Sequence, residues 1–388
     1  MPAVVTVPKR LTVAAAAAAI AMGLCGPRAA RADEAAAALA KYRKPVAQAI
    51  DRALAYLAKQ QRPDGSFPSG MPGNTAIPSL GVMAFLAKGY TPGTGPYGQV
   101  VNRGVDFVLG SQQSNGLLVR ERHAHGAMYS HCISTLMLSE VSGMVDPARQ
   151  KRIDKALPEA LKVILSAQEI RKSAQHQGGW RYQHTSRDSD ISCSGWAIMS
   201  LRSARNNGTS VPKRAVDEGI KFIMNCRSPD GGFCYQPGGR PGLARAGTAL
   251  LCLELCGHHR SKPAVGAGDY ILGYLNARKQ LRDRWTARAE RLKSSGLRGR
   301  RLAQVPSALR FGGSHFYYGL YYCSQGMFQL GGQYWETFAT YLYEMMLKFQ
   351  QLDGSWPQGR RDTGPCYATA MGVLAMSVSY RQLPIYQR

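Results

Sequence analysis

The sequence predicts an all-α fold of repeated helical hairpins, and three observations carry that prediction. One phrase recurs, as "KQQRPDGSFPSG" near residue 64, "HQGGWRYQ" near 178, "CRSPDGGFCYQPGG" at 226–239 and "FQQLDGSWPQG" near 353. Apolar residues at helical spacing precede it, with Ile50, Ala53, Leu54 and Leu57 before the first copy and Val216, Ile220, Ile223 and Met224 before the copy at 226. Alternation of the strand type is scarce throughout.

The repeated phrase has a mechanical reading as a turn between helices. Pro presets φ, Asp bonds its own backbone, and Gly supplies the left-handed conformation that closes a helix end. The aromatic residue two places on then folds back on the preceding helix. Gly65, Gly116, Gly179, Gly231 and Gly354 are read as equivalent turn positions, standing 51, 63, 52 and 123 residues apart. The long last interval holds a degenerate copy, "RFGGSHFYYG" at 310–319, which makes six hairpins. Repeats of this length build stacks in which neighbouring helix pairs bury each other's apolar faces.

Residues 1–32 stand outside this pattern. Lys9 and Arg10 precede an apolar run from Leu11 to Leu24, and Ala30-Arg31-Ala32 forms a small-x-small cleavage site, as in a secretory signal peptide. The expectation is a chain exported to the periplasm or cell envelope, starting at Asp33, with residues 33–388 as one domain. The formal net charge of +25 falls to +21 when Lys9, Arg10, Arg28 and Arg31 leave with the signal. Such a charge attracts anionic surfaces. Most of the excess is scattered, as over a solvated surface, and one segment is the exception: a basic insertion at 278–310, with 11 Lys or Arg against Asp283 and Glu290. Leu281, Trp285, Ala289 and Leu292 form one apolar stripe there, so the segment reads either as an interfacial helix for an anionic membrane or as a surface helix packed on the domain. No nucleic acid is expected as a partner, and the sequence leaves the oligomeric state open.

The eight cysteines beyond residue 32 lack any Cys-x-x-Cys spacing and read mostly as small buried hydrophobes. His131–Cys132 and His258–His259 lack a third ligand at helical or turn spacing. Neither a metal nor another cofactor is expected.

"YLAKQQRPDGSF", "ILSAQEIRKSAQHQGGW", "IMNCRSPDGGF" and "MLKFQQLDGSW" resemble the Gln-Trp repeats of the squalene cyclase and protein prenyltransferase superfamily. "DSDISCSGWAIMSL", "HFYYGLYYCSQGMFQLGG" and "GPCYATAMGVLAM" resemble bacterial squalene-cyclase-like proteins carrying this repeat. The resemblance spans nearly all of the chain after residue 32. It implies a six-hairpin α/α toroid of the terpenoid cyclase and protein prenyltransferase type, one barrel where true squalene cyclases have two. The Asp-x-Cys and later His of prenyltransferase zinc sites are absent from the matching repeats.

In such a ring the inner helices begin just after each turn, and their first residues face the cavity mouth. Those residues are Asn74 and Thr75; Tyr129 and His131; Asp188, Asp190 and Ser192; Arg245; His315, Tyr318 and Tyr322; Cys366 and Tyr367. Squalene-type cyclases carry Asp-x-Asp-Asp-Thr-Ala where this chain has "DSDISC". Asp188 and Asp190 match the first and middle acids, the middle one being the proton donor to an alkene or epoxide. Ser192 replaces the Thr and Ile191 the last acid. Asp190, Asp188 and His131 are therefore the candidate catalytic residues, and Ser192, Arg245, His315, Tyr318, Tyr322 and Tyr367 the candidate substrate-binding ones. The plainer reading makes Asp190 an N-cap for the helix that follows, and packing accounts equally for at least two of the tyrosines.

Three functions follow. One is an enzyme or binder of a hydrophobic isoprenoid, squalene-type and acid-initiated if catalytic, in the isomerase or lyase class. A second is a non-catalytic envelope scaffold using the same ring. A glycan-cleaving toroid ranks last, because it needs two opposed carboxylates and acids open only one inner helix.

Overall fold

A computed structural model describes residues 39–70, 74–120, 126–294, 315–359, 362–380 and 382–386. They carry twelve helices of twelve or more residues, in pairs. The outer members are α1 (Arg43–Gln60), α3 (Gly98–Leu109), α5 (Pro147–Glu169), α7 (Lys213–Asn225), α9 (Lys262–Ser294) and α11 (Gly332–Phe349). The inner members are α2 (Ala76–Ala87), α4 (Ala127–Val141), α6 (Ile191–Asn206), α8 (Leu243–Leu255), α10 (Phe316–Leu330) and α12 (Pro365–Met376). Among the described residues there are only isolated β-bridges, and no helix is long and apolar enough to cross a membrane.

The two rings differ in sequence for a physical reason. An outer helix buries one stripe, as α1 buries Val46, Ala49, Ile50, Ala53, Leu54 and Leu57 and exposes polar residues elsewhere. An inner helix has neighbours on every side and so must be apolar or small all round. All twelve residues of α2 are buried. Small side chains set the inner spacing: a Cβ on Gly247 of α8 would stand 2.6 Å from Cys323 Sγ of α10. Successive inner helices touch, and α12 returns to α2, so the ring closes.

The repeated phrase performs that closure. Gly65, Gly116, Gly178, Gly231 and Gly354 have φ between +84° and +89°, and each lies against a backbone carbonyl of the next outer helix, at Arg103, Glu159, Glu218, Gly266 and Arg52 respectively. A Cβ at any of them would fall within 2.8 Å of that oxygen. The glutamine of the phrase ties the same joint. Gln61, Gln112, Gln168 and Gln350 each donate through Nε2 to the carbonyl of their own turn glycine and to one on the next outer helix, at Val100, Ala156, Ala215 and Ala49. Two places past the glycine stands an aromatic residue in four of these turns and Leu118 in the second, and Trp180 and Trp356 donate their indole N–H to Ile164 and Met346 of the preceding helix.

Two expectations change. In the third repeat the turn position is Gly178, not Gly179, because only Gly178 has positive φ and stands two residues before the packing Trp180. The basic segment from 278 to 294 is the continuation of α9 rather than a separate helix. Leu281 and Trp285 are half-buried there, and Arg278 and Arg282 lie near Tyr341 of α11. The expected signal segment at 1–32 and the basic stretch 295–310 lie outside the described residues, as do the side chains of Ala289 and Leu292.

Candidate functional site: the mouth at the inner-helix N-termini

All six inner helices start at the same end of the ring, so their first turns frame one mouth. Asp190 sits there as the N-cap of α6, with φ −134° and ψ 156°. Its Oδ1 accepts from the amides of Ser192 (2.9 Å) and Cys193 (3.0 Å), and its own N–H donates to the Trp180 carbonyl. Its Oδ2 lies 3.1 Å from Arg181 Nη1, and the residue is fully buried. Burial pushes the carboxyl up from the usual carboxylate range, and the Cys193 amide, Arg181 and the Ser192 amide hold it back.

Arg181 organises the rest. Its Nε pairs with Asp188 Oδ2 at 3.0 Å, and Nη1 donates to the Tyr235 hydroxyl at 2.7 Å. The guanidinium lies 4.2 Å from the Tyr182 ring centroid and 5.4 Å from that of Tyr235, and the two phenols hydrogen-bond each other. Tyr129, in the first turn of α4, stands 5.8 Å from Tyr182, and burial raises its phenol. Tyr129, Tyr182, Tyr235, Phe316 and Tyr367 are all partly exposed, so the mouth offers aromatic surface to solvent.

Below the mouth aromatic side chains meet across the ring. Trp196 of α6 stacks on Tyr321 of α10 at 5.5 Å and 12°, reaching past the intervening α8. Tyr322 meets the edge of Trp196 at 5.3 Å and lies 4.6 Å from Tyr318. Tyr318 shares a 2.7 Å hydrogen bond with Thr248 of α8, and Ser192 also bonds its phenol. The Tyr322 hydroxyl, fully buried, has no hydrogen-bond partner among the described residues.

The structure thus brings together Asp188, Asp190, Ser192, Tyr318 and Tyr322, and assigns other tasks to the remaining candidates. His131 accepts from the Leu118 amide at Nδ1 and donates from Nε2 to the Ala160 carbonyl, each at 3.0 Å. Both nitrogens are engaged, burial lowers its pKa to about 4, and the neutral ring ties α4 to its turn and to α5. Arg245 donates from Nη1 to Arg240 O and fastens the loop that enters α8. His315 is the exposed N-cap of α10, with left-handed φ of +57°. Tyr367 lies beside Asp362, a buried carboxyl whose pKa burial raises to about 6.

Arg181, Tyr182, Tyr235, Thr248 and Asp362 were not among the candidates. A signal for two of them existed: "GGWRYQ" and "GGFCYQ" align residue for residue, placing Tyr182 and Tyr235 at one repeat position. A groove of about 410 Å³ lined by Asp230, Asp269, Tyr270, Gly273 and Tyr274 lies away from this mouth, between the fourth turn and α9. Among the described residues no group of three His, Cys, Asp or Glu could hold a metal ion, and all eight cysteines are unpaired.

Comparison with solved structures finds distant likeness to a type II terpene cyclase, MstE from Scytonema. The apo form matches at 11% identity with TM-score 0.37, over 88% of this chain and 99% of that one. A variant in complex with geranylgeranyl dihydroxybenzoate, its substrate, matches at 10% identity with TM-score 0.34, over 88% and 99%. At these values the likeness says nothing about activity. No curated protein matches the chain. The prenyltransferase alpha-alpha toroid domain matches residues 34–305, most of the chain, and with the closed ring of helical hairpins this places the protein in the prenyltransferase α/α toroid family.

Proposed function

We propose that this toroid is a non-catalytic binding protein of the cell envelope, holding a hydrophobic, isoprenoid-type ligand at its aromatic mouth. The commitment of Asp190 carries the reading. A proton donor to carbon must present a protonated oxygen to the substrate, whereas both oxygens here are engaged, one by two helix amides and the other by Arg181. Ile191 stands where a second acid would assist. The partly exposed tyrosines supply apolar faces. Export rests on the signal-like residues 1–32. An anionic membrane surface as partner is supported by α9, whose 33 residues extend about 50 Å and expose Arg282, Arg284 and Arg288.

One observation favours the second reading, an acid-initiated cyclase: burial raises the Asp190 carboxyl, as a proton donor requires. A single experiment separates the two. Purified protein is titrated with squalene and geranylgeraniol while tryptophan fluorescence is followed, and the mixtures are then extracted for mass spectrometry. Saturable binding with unchanged polyprene supports the binder. A cyclised product that disappears in Asp190→Asn overturns it, and no binding at all removes both readings.

A further inference from the structure

The opposite end of the ring, where the inner helices finish, is covered by a short segment from the C-terminal region. Pro384–Tyr386 forms a 3-10 turn in which Ile385 and Tyr386 are 1% and 6% exposed. Polar contacts hold it at each kind of group. The Ile385 amide donates to Glu140 Oε2 of α4 at 3.2 Å. Gln329 of α10 donates from Nε2 to the Tyr386 carbonyl at 3.3 Å. The Tyr386 hydroxyl pairs with that of Tyr321 of α10, and the other Glu140 oxygen accepts from Ser203 of α6.

An acceptor for a peptide N–H, a donor for a peptide carbonyl and a phenol for a phenol are what recognition of a short peptide turn requires. The site leads to the ring centre, since Tyr321 stacks on Trp196. Polar atoms there lack partners among the described residues: the Tyr322 hydroxyl and Gln325 Oε1, both buried. We propose that the C-terminal ends of α4, α6 and α10 form a peptide-binding site, which the chain fills with its own Leu383–Tyr386 as a releasable strap over the aromatic centre. This stands independently of the ligand reading at the other mouth.

Glu140 gives the strap a sensitivity to pH. Burial pushes its carboxyl up to about 7, against the Ser203 and Ile385 bonds. Among the described residues the titratable groups facing it are the phenols of Tyr321 on α10 and Tyr386 on the strap, while α6 presents the Ser203 hydroxyl. No cation contributes to its shift. An ionised Glu140 is therefore better served by water than by this site, and release becomes easier as pH rises from about 4.5 to about 7 and levels off above that.

Amide hydrogen exchange of the full chain tests the proposal. The protection factor of the Ile385 and Tyr386 amides should fall at least tenfold between pH 5.5 and pH 8, while mid-helix amides of α4 and α6 stay protected. In Glu140→Gln the fall should vanish. Strap amides that exchange only with global unfolding, or a pH dependence that survives in Glu140→Gln, overturn it. A second measurement uses a fluorescein-labelled peptide of the sequence YRQLPIYQR: it should bind Tyr386→Ala protein of native far-UV circular dichroism and not wild type. Failure to bind that folded variant overturns the peptide site, and if the variant does not fold the exchange experiment on wild type decides.

Discussion

Two buried groups should impose opposite pH slopes on stability, and replacing one should expose the other. Glu140 is raised by burial from 4.5 to about 7. Below pH 4.5 it is protonated in both folded and unfolded chains, so it costs nothing. Between 4.5 and 7 the unfolded chain ionises first, and folding free energy is lost at about 1.4 kcal/mol per pH unit. Above 7 the loss is complete, at up to about 3 kcal/mol. His131 is lowered by burial from 6.5 to about 4, so its neutral form is matched in both states above 6.5 and it destabilises as pH falls below that. Over roughly pH 4.5–6.5 the two slopes oppose and flatten the wild-type curve. Glu140→Gln removes one of them with its hydrogen bonding kept, since the amide NH₂ can donate to Ser203 and its oxygen can accept from Ile385. Urea denaturation at half-unit steps from pH 4.5 to 8 should show the variant gaining on wild type with pH, by up to about 3 kcal/mol above pH 7. Local release of the strap would lower that ceiling without changing its sign. A difference constant within about 0.5 kcal/mol across the range would refute the reasoning.

Gln350→Ala cuts the joint between the last hairpin and the first, at the 2.7 Å bond to Ala49 O and the 2.9 Å bond to Gly354 O. Two such bonds are together worth about 2 kcal/mol, which lowers Tm by roughly 3 °C in a chain of this size and is read by thermal circular dichroism. Asp190→Ala should cost about 2 kcal/mol, because it uncaps α6 and takes a carboxylate from Arg181. Asp190→Asn keeps a capping oxygen and should cost less than half of that in the same urea titration.

The architecture was legible because its signals are local. A left-handed glycine, an aromatic two residues on and an apolar stripe before them are each properties of a few consecutive residues, and closing a ring only repeats them. The one misplaced joint shows the limit of that reading: with Gly178 and Gly179 adjacent, spacing alone could not choose, whereas the distance to Trp180 could. The rise in charge that sets the basic segment apart at 278 falls inside α9, whose backbone continues helical to Ser294, so charge alone does not mark an element boundary. The site was legible only in part. That Asp188, Asp190 and Ser192 belong together follows from their spacing, but that Arg181 joins the two acids to Tyr235 depends on contacts across 54 residues. The backbone partners of His131 were hidden for the same reason, since residues 118 and 160 meet it only in the folded ring.

The role of Asp190 turns on the field at this mouth. Six helix N-termini point to the same side, and α4, α8 and α12 begin at Gly126, Gly242 and Gly364 without any side-chain cap. Each contributes about half a positive charge there. That field favours an ionised carboxylate, and so do the Ser192 and Cys193 amides and Arg181. Burial alone favours the neutral acid. An Asp190 held between these forces does most as a fixed anion: it orders the first turn of α6 and helps anchor the Arg181 guanidinium against Tyr182 and Tyr235. Losing it would release that guanidinium from one of its two carboxylates and loosen the aromatic wall that any ligand at this mouth must meet.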